Sequence, residues 1–386
     1  MTLYFDHAAS TPVDPAVAAA MAAALADPTL QANPAAGHAP GRAAHAEVET
    51  ARGRVAALIG ARPAEIVWTS GATEANNLAL LGAARFRASR GRHLVVSPVE
   101  HASVLGACRQ LEREGFTLTW LDPDRDGLID PAQVAAALRT DTTLVAVMAV
   151  NNETGVVQDV AAIGAICRAR GVLLHVDAVQ AAGREPLDVV AQQVDLMSLS
   201  AHKMYGPKGV GVLYINGTTL RRVEPLLHGG GQERGLRPGT LATHQLIGMG
   251  LAAELARTRL AADRHGQAGL RDALWTALAR VPGVLLNGHP LRRSCHIVNV
   301  SVEGVDGESL LLALEPLVVS SGAACASASG EPSPVLRRLG RSDALAQSSI
   351  RFSLGRGTTT AEIEAAAAIF AAGVAHLRRL APPAVA

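Results

Sequence analysis

The stretch Val172–Gly211, VLLHVDAVQAAGREPLDVVAQQVDLMSLSAHKMYGPKGVG, decides the fold. It opens on an apolar run that ends in a carboxylate, Asp177, and passes through a second apolar run, Val194 to Leu199. It closes on Ser200, His202 and Lys203 before a glycine-containing turn. Each run reads as a buried strand, so the acid and the amine both sit where strands end. Ligands of open α/β sheets bind just beyond the carboxyl ends of the strands, so the two groups are expected to converge on one crevice. An amine able to form a Schiff base, together with an acid for a pyridinium nitrogen, is what pyridoxal phosphate requires of a protein.

Outward from this stretch, apolar runs alternate with helical patterns from His93 to Ile215, which predicts a mostly parallel sheet covered on both faces. A pattern of mostly helical residues from Leu241 to about Ala279 marks the passage into a smaller α+β part. The expected division is a large domain over 15–260 and a small one formed by 1–14 and 261–386. With 386 residues, two or three domains of roughly 150 residues are expected. Aromatic residues are only 3% against 49% hydrophobic overall, so the core must be packed mainly with Ala, Val and Leu.

A formal charge of +1 gives no electrostatic case for nucleic acid or an anionic membrane surface, and a small substrate is expected. The start, MTLYFDHAAS, lacks the basic and apolar pattern of a signal peptide, and the Ala-rich tail from Ala365 reads as cut by His376 to Arg379. Four cysteines without a C-x-x-C pair describe neither a disulfide framework nor a zinc site, and a reducing cytoplasm is expected.

Two motifs are decoys. Asp122, Asp124, Asp126 and Gly127 imitate the opening of a calcium loop, but Gln133 stands where a bidentate glutamate is needed, so they read as a turn and cap. His228–Gly231 imitates a lipase oxyanion loop, but the chain has no G-x-S-x-G elbow. That loop is expected to be mobile, with Gln232, Glu233, Arg234 and Arg237 keeping it polar.

Ser70, Gly71, Ala72 and Thr73 lie at a helix start that suits a phosphate, with capping by Ser70 or Thr73 as the plainer alternative. Cys108, Cys167 and Cys295 sit in apolar contexts. Cys325, in contrast, lies in SSGAACASASGEPSP, whose residues lack the bulk to bury themselves. A reactive thiol on an exposed, mobile loop is expected there. A mobile thiolate is suited to attack sulfur and to carry the product outward.

With these residues in place, the chain resembles a cysteine desulfurase of the NifS/IscS type, within the class V aminotransferase branch of fold type I pyridoxal phosphate enzymes. The motifs run in order: DHAASTPVDP, TSGATEANN, SPVEHASV, VNNETGVVQD, HVDAVQ, SLSAHKMYGPKGVG, RPGTLATHQLIGMG, SSGAACASASGEPSPVLRRLG and SIRFSLGR. The resemblance implies that Lys203 holds the cofactor and moves protons, Asp177 binds its ring nitrogen and Gln180 its phenolic oxygen. By the same resemblance His101 stacks on the ring and assists proton transfer.

Ala72, Thr73, Ser200 and His202 would hold the phosphate, and Thr240 would reach the phosphate of the partner in a homodimer. Asn152 and Arg351 would hold the substrate carboxylate. L-cysteine would yield L-alanine and a persulfide on Cys325, destined for an acceptor such as an iron–sulfur scaffold. No resident metal is implied, and transient ligation of a cluster by Cys325 stays open.

Cys325 is followed by Ala326 where the family often has threonine, a change in loop polarity. The chain ends at LAPPAVA, where IscS-type members carry a longer tail for the scaffold, so the acceptor stays open. A selenocysteine lyase or another class V aminotransferase-type enzyme is the alternative.

Overall fold

The computed structural model describes residues 2–219, 222–321 and 331–380. Its centre is a seven-stranded sheet in the order Ile66–Thr69, Gly211–Ile215, Leu196–Ser200, Leu173–Asp177, Thr142–Ala146, His93–Val96, Thr117–Trp120. Gly211–Ile215 pairs antiparallel with both its neighbours, whereas the other pairings are parallel. Six strands therefore point the same way, and their carboxyl ends share one edge.

Successive residues of each strand face opposite sides, and both sides are apolar. Val95, Val145, Leu174 and Val212 belong to one core, while Leu94, Val96, Leu144 and Leu213 belong to the other. Burial on both faces explains why these strands, the edge strand Thr117–Trp120 apart, read as unbroken hydrophobic runs.

Local signals set the helices. Asp14 caps Pro15–Ala26 by accepting from the Ala16 N–H, and Asp130 does the same for Pro131–Ala137. Asp124 accepts from the N–H groups of Asp126 and Leu128, so the acidic cluster is a turn. His38 caps Ala39–Leu58 through Nδ1.

The helix Thr243–Leu278 bridges two cores. Leu246, Met249 and Ala253 pack in the large one, and Leu274 and Leu278 pack among Val298, Val300 and Phe352 of a second. That second core lies against a four-stranded antiparallel sheet in the order Ser320–Ser321, Ser349–Ser353, Ile297–Val302, Val284–Leu286. The chain start joins it, because Leu3–Tyr4 pairs in parallel with Leu317–Val318 and Phe5 is buried there. Residues Asp6 to Ser10 then lead from this core back to the edge of the large sheet.

Leu317–Val318 and Ser320–Ser321 are separate short strands, one pairing with the chain start and the other with Ser349–Ser353. Two expectations are corrected. The apolar tail is not cut at His376, since Thr360–Leu380 is one helix, long and apolar enough to cross a membrane by length and composition. Its Ile363, Ala366, Phe370 and Val374 are buried in the second core.

The loop after His228 is also not simply polar. Glu233 is buried, grips Arg52 through two contacts of 2.8 Å and accepts from the Trp68 N–H. An unpaired carboxylate could not stay there, so the pair with Arg52 explains its burial.

Candidate active site

Strand ends and the Asp6–Ser10 segment enclose a cleft of about 530 Å³ on the shared edge of the large sheet. Asp177, the last residue of its strand, is nearly inaccessible and lines this cleft. Its Oδ2 accepts from Asn76 Nδ2 at 2.8 Å and its Oδ1 from the Val179 N–H at 3.0 Å. Glu100 lies close by, and burial, followed by repulsion from Asp177, pushes its carboxyl well above the ordinary range. Asp177 lines the cleft where a ring N–H⁺ would sit.

Lys203 follows the strand Leu196–Ser200 within the short turn Ala201–Lys203. Its Nζ donates to the Ala8 and Ala9 carbonyls at 2.6 and 2.8 Å, and Gln180 Nε2 donates to the same Ala8 carbonyl at 2.8 Å. The chain start is thus part of the site, through the backbone carbonyls of two alanines. His202 lies beside Ser10, Nδ1 to Oγ 3.3 Å, and its imidazole is pushed down to about 4 by burial and by Lys203 and Lys208. A neutral imidazole there can donate to an anion without carrying charge.

The wall of the cleft at Ser70–Thr73 suits a phosphate. Gly71 precedes the helix start at Ala72 with φ 153°, and among the described residues no side chain caps this end. The Ser70 N–H is taken by Glu74 Oε2 at 2.7 Å, and Glu74 is held by Arg237 at 2.8 Å. The alternative of a Ser70 or Thr73 cap is thereby set aside, which leaves the N–H groups at Ala72 and Thr73 for a ligand. Backbones approach closely here, since a Cβ on Gly211 would lie 2.6 Å from the Leu199 carbonyl oxygen and 2.7 Å from Gly71.

Arg351, on the strand Ser349–Ser353, also lines the cleft. Nη1 donates to the Asn152 carbonyl at 2.8 Å, and Nη2 donates to Asp6 Oδ1 at 2.8 Å and Ser320 Oγ at 3.2 Å. Among the described residues, its buried Nε has no hydrogen-bond partner. A buried guanidinium with a spare donor beside the Asn152 turn is suited to a carboxylate.

Ten of the residues singled out in the sequence line this one cleft: Ala72, Thr73, His101, Asn152, Asp177, Gln180, Ser200, His202, Lys203 and Arg351. Thr240 does not. It is exposed and lines a separate cavity with Leu25 and Leu30. Cys325 lies outside the described residues. Residues that the sequence reading passed over include Asp6, Ala8, Ala9, Asn76 and Ser103. Asn76 and Ser103 had a signal, one polar side chain each inside quoted motifs, whereas two alanine carbonyls have none.

The donor set fits pyridoxal phosphate: an anion in the cleft for the ring nitrogen, an amine for the aldehyde, and uncapped N–H groups with Ser200 and His202 for the phosphate. Among the described residues no cluster of His, Cys, Asp or Glu could hold a metal ion.

The sequence pattern of the class V aminotransferases matches residues 3–366. Proteins named cysteine desulfurase IscS from Shewanella halifaxensis and Azotobacter vinelandii are 51% and 53% identical over 383 residues, covering 99% of this chain and 95% of each relative. Among solved structures, a NifS-like protein superposes with a TM-score of 0.91 at 32% identity, covering 98% of this chain and all of that one. A cysteine desulfurase from Thermococcus onnurineus, solved without ligand, gives 0.87 at 27% identity, with coverage of 97% and 95%.

Proposed function

Because the chain belongs to the class V aminotransferase family, we infer that it is a cysteine desulfurase that converts L-cysteine to L-alanine and passes on the sulfur. The observation that carries this reading is the convergence of Asp177, Lys203 and Arg351 on one cleft, in a chain half identical along its length to proteins of that name. Pyridoxal phosphate is the cofactor, and when bound it supplies an electron sink that acidifies the substrate Cα–H and loosens the Cβ–S bond.

The chain's own groups do the rest. Arg351 and Asn152 orient the substrate carboxylate, which fixes Cα relative to Lys203. Lys203 Nζ, steadied by the Ala8 and Ala9 carbonyls, holds and moves the proton between carbon atoms. Asp177 would pair with the ring nitrogen of the cofactor. Cys325 Sγ forms a bond to the substrate sulfur as the Cβ–S bond breaks, and a proton returned to Cβ completes alanine. The product on the protein is a Cys325 persulfide, and an iron–sulfur scaffold is the acceptor suggested by the relatives' name.

Thr240 lies away from its own cleft on an exposed face, which supports a homodimer in which it serves the partner's phosphate. Cys108, Cys167 and Cys295 are free thiols, which supports a cytoplasmic location.

Cys325→Ala is the test. The visible absorbance of the bound cofactor should persist while sulfide release from cysteine is lost, and unchanged turnover refutes the nucleophile assignment.

A further inference from the structure

A chain of four side chains runs from Asp177 to His101. Asn76 Nδ2 donates to Asp177 Oδ2 at 2.8 Å and to Ser103 Oγ at 2.9 Å. Ser103 Oγ lies 2.8 Å from His101 Nδ1, and the Ser103 backbone N–H donates to the same nitrogen at 3.2 Å. Asn76 is fully buried, and both amide protons are committed.

The proton positions follow from one end. A carboxylate oxygen only accepts, so the amide nitrogen of Asn76, not its oxygen, faces Asp177. The second amide proton then goes to Ser103 Oγ, leaving the Ser103 hydroxyl proton to point at His101 Nδ1. A backbone N–H already points at that nitrogen from the first turn of Ala102–Arg113, where His101 is the N-cap. Two donors converge on Nδ1, so Nδ1 carries the lone pair.

We propose that Ser103 and Asn76 are positioning residues that lock His101 into the tautomer with its proton on Nε2 and tie that choice to the carboxylate of Asp177. Nε2 lies on the far side of the ring from the helix, in a residue that lines the cleft. Held this way, His101 presents a fixed N–H to an electron-rich atom of the bound substrate or cofactor. It takes up a further proton only at Nδ1, by displacing both the hydroxyl and the backbone N–H of Ser103. The role toward a bound substrate rests on the desulfurase reading above, whereas the tautomer does not.

The experiment is ¹⁵N NMR of the holoenzyme labelled at histidine, with the His101 signals assigned by their loss in His101→Asn. The expected wild-type spectrum has an unprotonated Nδ1 and a protonated Nε2. Ser103→Ala should mix in the other tautomer, and Ser103→Thr, which restores a hydroxyl, should return the wild-type pattern. A proton on Nδ1 or averaged tautomers in the wild type overturn the proposal, and so does a Ser103→Ala spectrum identical to wild type. The expected wild-type spectrum in a protein that releases no sulfide from cysteine would instead overturn the desulfurase reading and leave the lock intact.

Discussion

Arg351→Lys separates a substrate-binding role from a structural one. The arginine is 1% exposed and, among the described residues, spans three acceptors, the Asn152 carbonyl, Asp6 and Ser320, while its Nε has none. Lysine keeps the charge, and with it most of the pairing to Asp6, but one nitrogen cannot serve Asn152, Asp6 and a ligand together. The expected loss is one charge-assisted hydrogen bond to the substrate carboxylate, about 1.5–3 kcal/mol. At roughly 1.4 kcal/mol per tenfold, kcat/KM for cysteine should fall by about 10- to 150-fold, mostly through KM. Steady-state sulfide release measures this, and inhibition by L-alanine, which carries the same carboxylate, should weaken by a similar factor. The cofactor spectrum should be unchanged. If kcat falls while KM and L-alanine inhibition stay at wild-type values, Arg351 only ties Asp6 to the Asn152 turn, and the assignment fails.

Two further changes probe the surroundings of the site. Burial pushes the Glu153 carboxyl up to about 7 against the opposing pull of the Ser333 hydroxyl and Arg351. A raised carboxyl binds its proton more tightly folded than unfolded, so its contribution to stability is lost as pH rises from about 4.5 to 7, to the extent of roughly 3 kcal/mol. Glu153→Gln should therefore gain in melting temperature relative to wild type between pH 5 and pH 8 by calorimetry, and a pH-independent difference would refute the shift. Gly211→Ala places a methyl against the Leu199 carbonyl and Gly71. Overpacking of this kind costs about 1–3 kcal/mol, and its displacement of the Ala72 helix start should weaken cofactor binding about tenfold or more in an absorbance titration.

Much of the site was legible in the sequence because its chemistry sits at strand ends. Asp177 and Lys203 follow apolar runs whose burial on both faces needs only the runs themselves to be seen. The helix start at Ala72, after a small-residue turn, was legible too. Cys325 stood out against three cysteines in apolar settings, but it lies outside the described residues. What escaped were partners separated far along the chain. Arg351 and Asp6 are 345 positions apart, Arg52 and Glu233 are 181 apart, and Asn76 and Asp177 are 101 apart.

The reach of the sequence ends at a physical boundary. Periodicity reports which face of an element is buried, and turn chemistry reports where it stops, so the α/β class, the strand ends and the residues on them follow from local pattern. Which strand lies beside which, and therefore which buried polar group satisfies which, is settled only when the elements pack. That is why the Ala8 and Ala9 carbonyls under Lys203, the burial of Glu233 in a loop that reads as polar, and the proton position on His101 belong to the tertiary structure alone. Each arises because a buried polar group must find a partner, and the partner available is whatever the fold brings within about 3 Å.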